Sequence, residues 1–198
     1  MDEIEEVNGN VPFLRGKITY YTHILEVSSL IIQLGNFEVS SGQLVVADPC
    51  YEWDANTVIM GLLESVMDGT WVSEVEKVEI PDWGEANAKL TAYHISAAEQ
   101  GEFLEWIKCP FVAGVDSGQA GIFDKPKFRI ADAGAPADST DTAWYYACCD
   151  ITESGEEAGV LDGGVVSRTG MGDGAYGVYK AVNQLDQVVA VKIVFIKR

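Results

Sequence analysis

A chain of 198 residues with 47% hydrophobic and 22% charged residues has the length and composition to bury one substantial core, and it is not a disordered polypeptide. Against 13 Lys and Arg stand 31 Asp and Glu, a formal charge of -18, so the average surface repels nucleic-acid phosphates and anionic membranes. Direct nucleic-acid and membrane partners are therefore not expected, and Cys50, Cys109, Cys148 and Cys149 form no C-x-x-C pair of the kind that marks a zinc site.

The opening MDEIEEVNGN is acidic, with neither a basic start nor an apolar stretch behind it, and no apolar run reaches membrane-spanning length. The expectation is a cytoplasmic protein with reduced thiols, folded as a single domain over 1–198 behind about ten disordered residues.

In chain order, FEVSSGQLVV places Ser40, Ser41 and Gly42 between two apolar runs, which predicts a hairpin. Val58, Ile59, Leu62, Leu63, Val66 and Met67 then recur at three- and four-residue steps behind Asp54, predicting an amphipathic helix over about 55–67 with Asp54 as its cap. The Val, Trp and Ile content of TWVSEVEKVEI leans to strand, and KLTAYHI alternates as one. Ser96 and Glu99 have capping-box spacing ahead of Phe103, Leu104 and Ile107, so a second, short helix is predicted, weakened by Gly101 and stopped before Pro110. Residues 131–141 are small, polar and proline-containing, as in an exposed loop. The remaining runs, AWYYACCDI, GGVVS, AYGVYKAV and VVAVKIVFI, predict an antiparallel meander. Val189, Val191, Ile193 and Phe195 make one apolar face of its last strand, which places that strand inside the sheet. The fold class expected is α+β, dominated by an antiparallel sheet with one or two helices packed on it.

One stretch, SRTGMGDGAYGVY, carries the spacing G-x-G-x-x-A at Gly170, Gly172 and Ala175. A dinucleotide loop opens a helix whose free amides hold the phosphates. Here a Tyr-, Val- and Gly-rich run follows, and Asp173 adds negative charge where a phosphate would lie. The stretch is read as a hairpin turn, and no cofactor is expected.

Three segments crowd Asp, Ser and Gly at the ends of apolar runs: ADPCY at 47–51, VDSGQAGIFD at 115–124 and SRTGMGDGAY at 167–176. All three are expected to meet on one rim of the sheet. Asp also commonly stands beside Pro and Gly simply to accept backbone hydrogens in turns, and Asp48, Asp116, Asp124 and Asp173 fit that role equally. These segments, followed by VVAVKIVFI, resemble the uncharacterised family numbered 4241 among the domains of unknown function, found in bacteria and their phages. The resemblance runs in order from about Val45 to Ile196 and rests most on DSGQ and GDG-x-Y. It implies no activity, only that Asp48, Cys50, Tyr51, Asp116, Ser117, Gly118, Gln119, Asp124, Gly172, Asp173, Gly174 and Tyr176 stand at motif positions.

Chemistry at these positions meets objections. Asp48 and Glu52 flank Cys50 and should raise its pKa, so a cysteine nucleophile would need His23 or His94 brought to it by the fold. Ser117 lacks the G-x-S-x-G context of a nucleophile elbow. Cys148 and Cys149, on a strand, would face opposite ways and grip no common metal. Were Asp116, Asp124 and Asp173 to converge, their repulsion would recruit Ca²⁺ or Mg²⁺.

The leading reading is a non-catalytic binding protein, taking a protein or small polar ligand at the rim. Asp48, Cys50, Tyr51, Asp116, Ser117, Gln119, Asp124, Asp173 and Tyr176 form its site, with Tyr51, Trp53 and Tyr176 either offering contact area or belonging to the core. Two other readings stay open: a metal-assisted hydrolase built on the Asp cluster, and an acidic inhibitor, phage or antitoxin-like, of a basic nucleic-acid-binding partner.

Overall fold

Alternation of inward apolar and outward polar side chains is strongest over Gly69–Ile80 and Gly84–His94, and these two segments form the longest hairpin. The computed structural model describes residues 29–129 and 143–197. Within them the chain runs through β1 (Ser29–Val39), β2 (Gln43–Ala47), β3 (Gly61–Glu64), β4 (Gly69–Ile80), β5 (Gly84–His94), β6 (Ile107–Val115) and β7 (Gln119–Asp124). There follow α1 (Ala143–Thr152), β8 (Ala158–Leu161), β9 (Gly164–Arg168), β10 (Gly174–Val182) and β11 (Val188–Val194). The eleven strands form two sheets, ordered β1-β4-β5-β11-β10-β6 and β3-β2-β7-β9-β8, with antiparallel pairing throughout. The class is α+β, mainly antiparallel sheet.

The main core fills the space between the sheets. Trp71, Leu90, Val191, Ile193 and Phe195 from the six-stranded sheet meet Leu44, Val46, Ile122 and Val165 from the five-stranded one. β11 lies between β5 and β10, as its apolar face requires. The other side of the five-stranded sheet is covered as well. Val45, Phe123 and Val166 pack under α1, where Phe123, Phe128 and Trp144 meet with ring centroids 5.2–5.5 Å apart.

Several local expectations are corrected. No helix occupies 55–67: a turn at 55–56 is followed by bends at 58–60, Val58 and Ile59 accept backbone hydrogen bonds from Val112 and Gly114 of β6, and β3 follows. A helix would put Leu62 and Leu63 on one face, whereas in β3 they part, Leu63 to the inter-sheet core and Leu62 to the α1 side. Asp54 caps no helix and closes an Asx turn on the Asn56 N–H at 2.8 Å. AWYYACCDI is the helix α1 instead of a strand. Trp144, Cys148 and Ile151 recur at three- to four-residue spacing on the face turned to the sheet. The short helix after β5 is a 3-10 helix, Ile95–Phe103, whose N-cap is His94 rather than Ser96. Its Phe103 is exposed, and Pro110 lies inside β6, tolerated because β6 is an edge strand.

The two expected hairpin turns are corners between sheets. Ser40–Gly42 carries the chain from β1 in one sheet to β2 in the other, and residues 169–173 carry it from β9 to β10. The C-terminal strands accordingly divide into two hairpins, β8–β9 and β10–β11, one in each sheet. The acidic start and the loop at 131–141 lie outside the described residues, as does His23. No helix among the described residues is long and apolar enough to cross a membrane.

Leu63 should therefore behave as a core residue. Leu63→Ala is expected to lower the unfolding free energy by about 2–5 kcal/mol in denaturant titration, and Leu185→Ala, at an exposed turn, by less than about 0.5 kcal/mol.

Candidate functional site

β2 ends at Ala47, β7 begins at Gln119 and β9 ends at Arg168, and because these strands are antiparallel neighbours, all three of those termini fall at one end of the five-stranded sheet. The ADPCY, DSG and SRTG segments continue from them and do converge. Buried Asp48 is the junction: its carboxylate accepts from the backbone N–H of Cys50 (2.8 Å), Asp116 (2.9 Å) and Ser117 (2.8 Å) and from the Ser117 hydroxyl (2.6 Å). Beyond Ser117 the chain turns at Gly118, φ +72°, where a side chain would be strained. The Gly118 carbonyl then accepts from both the Thr169 N–H (2.9 Å) and its hydroxyl (3.2 Å), which joins the second segment to the third. The guanidinium of Arg129 closes the first segment from outside, donating to the carbonyls of Pro49 and Cys50 at 2.9 and 3.0 Å.

Around this junction the candidate residues separate. Tyr51 donates its hydroxyl to Asp116 at 2.6 Å, and that bond, ahead of burial, pushes the phenol pKa up. Burial, followed by the negative charge of Asp48, raises the Cys50 thiol from 9.0 to about 12. Asp116, rather than the flanking Glu52, adds a smaller push, and His94, the histidine among the described residues, does not act on the thiol. His94 is committed elsewhere, accepting from the Ser96 N–H and packed edge-on against Trp71. Tyr176 offers no contact surface: it is 8% exposed, stacks edge-on against Phe195 and donates its hydroxyl to the Gly172 carbonyl at 2.6 Å. Trp53 is half-buried and lies beneath the Lys125 ammonium, 4.3 Å from its ring centroid.

Asp124 does not belong to this site. It ends β7, whose six residues span roughly 17 Å, and its buried carboxylate accepts from Ser40 N–H, Ser40 hydroxyl and Ser41 hydroxyl at the opposite corner. Asp173 is exposed. The Asp116–Asp124–Asp173 cluster on which a metal-assisted reaction was to rest is thus not assembled, since one ion cannot bridge both ends of a strand. Among the described residues no group of three or more His, Cys, Asp or Glu side chains could hold a metal ion.

What the rim does enclose is a pocket of about 290 Å³ between the DSG turn, α1 and the β9–β10 corner. Its floor is Gln119, 6% exposed, whose amide N–H donates to the soft Cys149 sulfur at 3.4 Å and whose Oε1 has no partner among the described residues. Thr152 and Glu153 of the α1 end form one wall, and Arg168, ion-paired to Glu157 at 3.0 Å, forms another. Cys149, Thr152, Glu153 and Arg168 were not found from the sequence. Reading α1 as a strand hid the first two, though the three- to four-residue recurrence of Trp144, Cys148 and Ile151 was the available signal. Cys148 is buried in the α1 core while Cys149 faces the pocket, so the pair splits as expected, but by helical rotation.

A larger concavity, about 540 Å³, lies on the outer face of the six-stranded sheet. The registers place Gln33, Glu74, Thr91, Lys192 and Tyr179 in one row across it. Two of its carboxylates are engaged by their neighbours: Glu74 accepts from Gln33 and Tyr93, and Glu76 pairs with Lys89. Lys192 rests 4.0 Å from the Trp106 ring centroid, its pKa lowered by burial and then by Lys89. These are ordinary cross-strand pairs on a solvated face, so the rim pocket is the better candidate.

Comparison of the chain with family models, with curated proteins and with solved structures finds no match.

The raised Cys50 value has a pH consequence with a fixed sign. The thiol stays protonated through the neutral range, so Cys50 alkylation by iodoacetamide should climb by about tenfold per pH unit until near pH 12, while a plateau by pH 9 would contradict the burial. Because the folded value exceeds the unfolded one, the associated stability is complete below pH 9.0 and is lost as pH rises towards 12.

Proposed function

We propose that the protein is a non-catalytic cytoplasmic binding protein that takes a small polar ligand in the rim pocket. The observation that carries this reading is Gln119: a buried amide whose oxygen lacks a donor among the described residues, at the floor of a pocket walled by the DSG turn, the β9–β10 corner and α1. Buried polar groups are normally paired, and an unpaired one is a place where a ligand hydrogen bond adds affinity at little reorganisation cost. A ligand that donates an N–H or O–H to Gln119 and accepts from the half-exposed Arg168 suits that wall. The ties from Asp48 to Ser117 and from Thr169 to Gly118 hold the pocket open before any ligand arrives. Against catalysis stand the protonated Cys50 and the dispersed carboxylates.

The test is ligand-observed NMR with a panel of small amides, polyols and free amino acids. One of these classes should bind the wild type, and Gln119→Leu should weaken that binding by about tenfold or more while leaving the melting temperature unchanged or higher. Binding that is indifferent to Gln119→Leu and Arg168→Ala, or no binding by any class, would remove the reading.

A further inference from the structure

Open sheets end in edges, and an edge strand presents unpaired N–H and C=O groups that natural proteins guard. Among the described residues there are four edges. β3 and β8 are four residues each, too short to template another strand. β6 carries Lys108 and Pro110, and the carbonyls of Val58 and Ile59 already accept from its Val112 and Gly114 amides. β1 differs on every count. It has 11 residues, contains no proline and bears no charge from Ser29 to Phe37, although the chain as a whole carries -18. Among the described residues β1 pairs only with β4. Its Leu30 and Ile31 are 55% and 56% exposed, so apolar side chains as well as backbone groups stand open there.

The register identifies which part of the edge is usable. β1 follows β4 regularly from Ser29 to Gln33, then shifts by one residue before Gly35, whose φ of +119° bends the strand. The flat part is therefore Ser29–Gln33, read S-L-I-I-Q. A two-fold axis through Ile31 would set Ile31 against Ile31, Leu30 against Ile32 and Ser29 against Gln33, with no like charges opposed. For a chain this acidic, an uncharged, self-complementary seam is the surface across which a second copy meets the least repulsion.

We propose that two copies of this chain associate through β1, antiparallel and centred on Ile31, joining their six-stranded sheets into one. None of the rim-pocket residues belongs to β1, so this association stands apart from the ligand reading above.

Sedimentation velocity of the full chain over a concentration series should give a species of twice 21.5 kDa. Ile31→Lys should convert it to monomer without lowering the melting temperature, because Ile31 is exposed, whereas Leu185→Lys should leave it dimeric. Ile31→Cys should form an intermolecular disulfide joining the two substituted positions under mild oxidation, identified by peptide mass mapping, since directly opposed strand residues have Cβ atoms about 5 Å apart. A monomer at every concentration would overturn the proposal, as would a dimer that survives Ile31→Lys or an Ile31→Cys chain that forms no such crosslink.

Discussion

A single buried carboxylate organises the end of the molecule where the candidate site lies. Asp48 leaves β2 and accepts four hydrogen bonds, three of them from backbone amides and two of those from the turn that takes the chain out of the six-stranded sheet into β7. A charge taken out of water costs several kcal/mol unless its oxygens are satisfied, and here each oxygen has two donors. The same device recurs at the far end of β7. Asp124, equally buried, accepts from Ser40 and Ser41 in the turn that takes the chain from β1 to β2. One aspartate at each end of the five-stranded sheet thus fixes a place where the chain changes sheets. The pocket is a consequence of the first: with Ser117 held by Asp48 and Gly118 held by Thr169, the gap between that turn and α1 cannot collapse.

This division of labour explains what was legible in the sequence. β5, β10 and β11 announce themselves because apolar side chains recur along one buried face, whereas β4 and β9 are legible by their β-branched and aromatic content. Residues 58–67 did not, because pairs such as Leu62-Leu63 and Val66-Met67 satisfy a helical period, and only the two-sided burial of the five-stranded sheet makes sense of adjacent leucines. α1 was misread for the opposite reason: Trp, Tyr and Ile favour strands by composition, and the spacing of Trp144, Cys148 and Ile151 outweighs it once the aromatic cluster with Phe123 and Phe128 forms. The partition into two sheets was hidden altogether. Ser-Ser-Gly and Gly-Asp-Gly turns look alike whether they close a hairpin or a corner, and the deciding bonds, Ser40 and Ser41 to Asp124, span more than 80 residues.

At the site, Asp48, Ser117, Gly118 and Gln119 were recognisable because polar and glycine residues at strand ends need a reason to be there. Asp124 shared that signature and serves the other corner, since a six-residue strand separates its ends too far for both to join one site. Tyr176 looked like a surface aromatic but spends its ring on Phe195 and its hydroxyl on Gly172, so it holds the corner in place rather than meeting a ligand. The rim is left with donors and acceptors in fixed positions and a thiol that stays protonated, a combination suited to recognition.

Amide hydrogen exchange measures the central claim most directly. If the Asp48 junction holds the rim, the Asp116, Ser117 and Thr169 amides should exchange nearly as slowly as that of Ile122 in the middle of β7. Exchange at those three positions as fast as at exposed Asp173 would mean that the turns open freely and that no preformed pocket exists.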